Sequence, residues 1–299
     1  MVLSSKQVNS PWISLIILLG LMLVFTFVQA ILAKLLLGDG NLEVYMDTSV
    51  PLYIMLAAGT ICSFLMPALT LQYIEKYFIY FPQEQYVGKI IYLIAFLFLL
   101  TFSPVMQLVG EWNSTISFPE SLKDLENWMK TQEDSMATLT AKVVMVDSVP
   151  FLLLNILVMA VLPAVAEEFF FRGVLQHIVQ RMLNNHHLAI WITAVVFSAI
   201  HFQFYGFFPR LLLGAFFGYM MAWTQNIWVP VVAHFINNAS VTLLAFYFTK
   251  QGKTYADLQT YESYSIFVYI GGVALSLATG YWFYRYTSNR KKIYGTRLD

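Results

Sequence analysis

The chain has 299 residues, with 17 Lys and Arg balanced by 17 Asp and Glu. Hydrophobic residues make up 59% and charged residues only 11%, against about 25% charged in an ordinary soluble domain. This excludes a soluble domain with a mixed charged surface, and the neutral balance offers no basic face for nucleic acid. Cys62 is the only cysteine, so the chain can form no internal disulfide.

The apolar residues fall into eight blocks, roughly 12–37, 52–71, 90–109, 149–171, 188–204, 208–223, 229–248 and 266–283. A spanning helix needs about 20 apolar residues, and only helices satisfy their backbone groups at that length in lipid. The expectation is an all-α polytopic membrane protein of about eight transmembrane helices, 1–299 forming one integral membrane domain. The fifth and sixth blocks are short, which fits tilted, locally thinned or bundle-buried helices.

The first block resembles a signal peptide at Val28-Gln29-Ala30, yet its apolar run continues to Leu37, so it is expected to stay as a helix. Eight spans put both termini on one side, and ten of the Lys and Arg residues fall there against seven opposite. The basic cluster after the last block hugs a helix end and predicts cytoplasmic termini in the cell membrane.

Between the third and fourth blocks, residues 111–147 are polar. Leu122, Leu125, Trp128 and Met129 recur at helical spacing, continued by Met136 and Leu139. This predicts a short interfacial helix within an extracytoplasmic loop. Asn113-Ser114-Thr115 fits a glycosylation sequon, a pattern common by chance. Gly214 and Gly218 form a small-xxx-small pair suited to close helix packing. Lys34 and Arg210 lie near span ends, where they can snorkel to the interface.

Three spans, the fourth, fifth and seventh, carry ionisable groups inside their apolar stretch, where such groups are costly and face a cavity or each other. The fourth holds Glu167-Glu168-Phe169-Phe170-Phe171-Arg172. Glu168 and Arg172, four apart, share a helix face and can pair as a structural clamp. Glu167 points about 100° away and has no local partner. A lone carboxylate there needs a cavity, a proton or a distant partner. The fifth holds Phe197 to His201, and the seventh His234 and Asn238, again on one face. Taken singly, His201 reads as a core histidine, and His234 with Asn238 as interhelical hydrogen-bonding groups.

Together they read differently. If the fourth and fifth spans turn near Asn184-Asn185-His186, Glu167 and His201 both lie roughly 23–24 Å from the tip. One carboxylate, two imidazoles and an amide can then converge. Such a set can hydrolyse a peptide bond, with a glutamate taking a proton from water and the other groups donating to an oxyanion. The pair of histidines with Glu167 could instead hold Zn²⁺ with a position open for water. No HExxH is present, and the residues alone do not choose between a zinc and a metal-free glutamate mechanism.

At these positions the sequence resembles the CAAX protease and bacteriocin-processing (abortive-infection) family of intramembrane proteases, whose motifs are EExxxR, FxxxH and HxxxN/D on successive helices. All three are complete here, over residues 163–240. The resemblance implies eight helices around a cavity open to the cytoplasm, with 144–248 as the catalytic core. It implies Glu167 activating water with His201 assisting, His234 and Asn238 stabilising the oxyanion, and Glu168, Arg172 and Phe197 in support. The implied partners are membrane lipid and a membrane-associated or lipid-modified protein or peptide, with no nucleic acid; oligomeric state is not readable. Two other readings stay open. A proton-coupled transporter would use the same groups as a relay, with Pro150 and Pro163 breaking the fourth span. A non-catalytic immunity or scaffold protein would merely retain the fold.

Overall fold

The computed structural model describes residues 9–37, 49–84, 88–259 and 263–294. The protein is an all-α polytopic membrane protein. Among the described residues there is no β-strand, only an isolated bridge between Gln83 and Asn226.

Helix α1 is Pro11–Leu37. Helix α2 (49–74) joins Ser49–Thr60 to Met66–Ile74 through a π-helical turn, Ile61–Leu65. Helix α3 is Ile90–Ser114, α4 is Lys123–Val144, and α5 runs unbroken over Val149–Leu183. Then follow α6, His186–Ala199, α7, Phe207–Thr224, and α8, Trp228–Lys250. A short α9, Tyr255–Gln259, precedes α10, Ile266–Tyr294.

Six of these, α1, α2, α3, α5, α8 and α10, are long and apolar enough to cross a bilayer. The fifth and sixth blocks form the shorter α6 of 14 residues and α7 of 18. Large apolar side chains remain exposed along the outer helices, Ile16, Leu23 and Phe27 of α1 each by about two thirds. Apolar surfaces of this kind suit the hydrocarbon of a bilayer.

Pro150 and Pro163 do not break α5. Pro150 occupies its first turn, where the missing N–H is no loss. Pro163 follows a π-helical turn, Ile156–Val161, and a second such turn covers Phe169–Leu175. These turns add residues without interrupting the helix. The helix extends twelve residues past the 149–171 block, carrying Gln176 to Gly218 O of α7, His177 to the rings of Phe78 and Tyr80, and Arg181 to the Tyr80 hydroxyl. Asn184 ends α5 in a left-handed conformation (φ 49°), and the Asn185 side chain caps α6 by accepting from the Leu188 N–H at 3.1 Å. The hairpin thus turns where the sequence places it.

Two apolar cores flank the α5–α8 centre. One packs Leu18, Leu71, Phe171 and Ile178 from α1, α2 and α5. The other packs Ile94, Phe98, Phe217 and Phe283 from α3, α7 and α10. The Gly214 and Gly218 pair does bring α7 against its neighbour α6. A Cβ on Gly218 would lie 2.8 Å from Ile190, and one on Gly214 3.3 Å from Ala194. Gln225, left-handed at φ 50°, ends α7. The turn behind it is pinned to the α2–α3 link, with Ile227 N–H donating to Pro82 O at 2.9 Å.

Helix α4 is a 22-residue helix rather than a short one. It exposes Leu122, Leu125 and Trp128 while burying Glu126 between Lys123 and Lys130. Its Trp128 ring packs on Phe204 (5.6 Å), and Glu133 accepts from the Tyr205 N–H at 3.3 Å. The helix therefore sits against the link between α6 and α7. Asn113 is buried there too, its amide N–H donating to Phe204 O and its oxygen accepting from the Phe208 N–H. The sequon is accordingly a structural asparagine with both functional groups occupied.

Candidate active site

The three polar motifs meet. The Arg172 guanidinium is fully buried and pairs with Glu168 at 2.8 Å, as their four-residue spacing requires. Its second amino group donates to Gly214 O at 3.0 Å, and its plane lies over the Phe197 ring at 4.5 Å. Charge, hydrogen bond and ring contact together compensate the removal of this cation from water. The same Glu168 oxygen accepts from Nδ1–H of His234 at 2.8 Å. A carboxylate can only accept here, so the proton is on Nδ1 and Nε2 faces away. His234 also stacks on Phe217, with ring centroids 5.2 Å apart.

Glu167 makes no hydrogen bond to any described residue. Its nearest ionisable partner is His234, Nε2 to Oε2 at 4.0 Å. That distance is too long for a direct hydrogen bond and suits a bridging water. His201 lies just past the end of α6, where Phe202 takes a left-handed φ of 52°. Its Nδ1–H donates to Phe197 O at 2.7 Å, which leaves Nε2 as the free acceptor. Asn238 donates one amide N–H to Met159 O at 3.3 Å and keeps a second.

Glu167, His201, His234 and Asn238 all line one cavity of about 420 Å³. Phe197 also lines it, whereas Glu168 and Arg172 lie behind the wall and hold His234. A metal-holding arrangement is not met: among the described residues, no group of three or more His, Cys, Asp or Glu is placed to bind an ion. Glu167, His201 and His234 thus share a cavity without forming a ligand cage.

Arg210, which the sequence places only near a span end, lines this cavity, its guanidinium donating to the Gln203 side-chain oxygen at 2.7 Å. Position near a span end is all the sequence offered, and the link that bends Arg210 back has no local signature. The void reaches from His234 to Gln203 and Gly206 of the α6–α7 link, Thr140 of α4 and Tyr255 of α9.

Residues 149–240 match the family described as Type II CAAX prenyl endopeptidase Rce1-like. The matched segment runs from the start of α5 into α8 and includes every motif residue. A curated relative, the uncharacterized protein YpbD of Bacillus subtilis (strain 168), is 35% identical over 89 residues, covering 28% of this chain and 42% of the relative. The match thus spans less than half the length of that relative. No solved structure matches. The family match supports the resemblance to the CAAX-type intramembrane proteases and covers the helices that carry the cavity's polar motif residues.

Proposed function

We propose that this chain is an intramembrane endopeptidase that hydrolyses a peptide bond in a membrane-associated or lipid-modified protein or peptide. The observation that carries this reading is the shared cavity: a carboxylate without a hydrogen-bond partner, two imidazoles with fixed Nδ1 protons and an amide with a spare donor face one void.

In this mechanism Glu167 takes a proton from a water held in the cavity, and His201 Nε2 accepts from the same water and orients it. The water oxygen attacks the scissile carbonyl. Asn238 donates its spare N–H to the developing oxyanion, and His234, held in place by Glu168, lies beside it as the second stabilising group. Donors aimed at such charge in a dry site are typically worth about 10²–10³-fold each in rate. Glu167 then delivers its proton to the leaving amine. The catalytic core is 144–248, and α4, within 111–147, lies as an interfacial helix over the cavity.

The test compares new peptide termini in cells expressing wild type or Glu167→Gln. Termini present only with the wild type establish proteolysis and name the substrate. If both correctly inserted proteins give identical termini, a transporter or scaffold role replaces this one.

A further inference from the structure

Arg210 is a cation in search of an anion. It lies in the first turn of α7 and lines the cavity that holds Glu167 and His201. Its guanidinium is held by one side, with donors to the Gln203 backbone oxygen at 3.4 Å and side-chain oxygen at 2.7 Å. It also packs on Gly206, where a Cβ would approach to 3.2 Å. Among the described residues no carboxylate lies within the 4.0 Å of an ion pair. Two carboxylates act on Arg210 through space, Glu133 of α4, which accepts from the Tyr205 N–H, and the cavity's own Glu167, and neither reaches ion-pair distance. Arg172, by contrast, is ion-paired with Glu168 behind the wall.

A guanidinium has five donors in a fixed fork, matched to a carboxylate. Two of them are used here. We propose that Arg210 anchors a carboxylate of the peptide in the cavity and so sets which bond is presented to Glu167. The proposal rests on the protease reading and adds a specificity-determining residue to it. The carboxylate has two possible sources, a free C-terminus or an Asp or Glu side chain. Arg210 and Phe217, which stacks on His234, are seven residues apart on α7, two turns or ~10 Å. An extended peptide covers that in about three residues, so the cleaved bond lies within a few residues of the anchored carboxylate.

The test uses peptides with an S-farnesyl-cysteine followed by randomised residues. They are made as free acids and as C-terminal amides, with and without Asp and Glu, and are presented to detergent-purified protein. Wild type should cut the acids at least roughly tenfold faster than the amides, the scale expected for one charged anchor. Arg210→Gln should erase the preference and Arg210→Lys keep part of it. Amides cut only when they carry Asp or Glu, again through Arg210, would support the anchor with a side-chain source. Equal cutting of acids and amides by wild type overturns the proposal and leaves the protease reading intact. So does an Arg210→Gln variant that slows both alike, because Arg210 would then merely hold the α6–α7 link. If wild type cuts nothing, the peptides are passed over immobilised Glu167→Gln protein. Arg210-dependent retention of the carboxylate-bearing peptides keeps the anchor without the protease, and indiscriminate retention or none overturns it.

Discussion

His234 gives its Nδ1 proton to Glu168 across 2.8 Å, so the second glutamate of the motif orients an imidazole as well as neutralising Arg172. The sequence spacing shows the Glu168–Arg172 pair, because both lie on one helix. It does not show that a histidine 66 residues away closes the network. Arg172, Glu168 and His234 act as one chain, and the first two touch no part of the cavity.

Breaking that chain at its buried end should be the most damaging to folding. Arg172→Ala leaves the Glu168 carboxylate buried beside His234 alone, a change that typically costs about 3–5 kcal/mol. Glu167→Ala removes a group with no hydrogen-bond partner among the described residues. Folded yield in membranes, read by size-exclusion of a fluorescent fusion, should fall far more for Arg172→Ala. Equal yields would remove the clamp role from Arg172.

Glu168→Gln keeps an acceptor for His234 but gives up the charge. Removing the carboxylate that orients a catalytic imidazole costs up to about 10⁴-fold in kcat. A loss of about 10²-fold or more is expected, measured on protein shown to be folded. Full turnover in that variant would mean His234 needs no orientation from Glu168.

Helix α4 should respond to acid. Lys130, whose ammonium bonds Glu126 at 2.6 Å, and the Phe118 N–H hold the Glu126 carboxyl below its ordinary value of 4.5. A carboxyl lowered on folding binds fewer protons in the folded state. Its contribution is therefore complete above pH 4.5 and is lost as pH falls through the folded value. Amide protection factors across 118–130 should fall below pH 4.5 in wild type and already be low at neutral pH in Glu126→Gln. A pH-independent profile would show that α4 is held by its apolar contacts alone.

Glycine substitutions separate packing from flexibility. Gly218→Ala drives a methyl to 2.8 Å from both Ile190 and the Gln176 side-chain oxygen, whereas a methyl on Gly271 meets nothing within 4 Å. Overpacking of this kind costs about 1–3 kcal/mol. The melting temperature in detergent should drop for Gly218→Ala and hold for Gly271→Ala. Matching values would mean α6 and α7 can separate freely.

The sequence makes the spans, the α5–α6 hairpin and the convergence of Glu167, His201, His234 and Asn238 legible, because apolar block length and helical spacing are direct physical constraints. The π-helical turns around Glu167 and Glu168 are not legible, since an added residue per turn has no composition of its own. The place of Arg210 in the cavity is not legible for a related reason. Its distance from a span end is readable, but the fold of residues 200–206, which turns it inward, is held by Asn113 and Glu133 from distant helices. The same contacts turn the sequon asparagine into a strut.

Helix α6 has 14 residues, a rise of about 21 Å against a hydrocarbon layer of about 30 Å. His201 stands two residues past its end, so a helix that starts at one interface leaves it short of the other, beside the void that also holds Glu167. On the proposed reading, a peptide buried in lipid then has no need to travel to the water surface: water descends to meet it, and the length of one helix sets the depth at which the two come together.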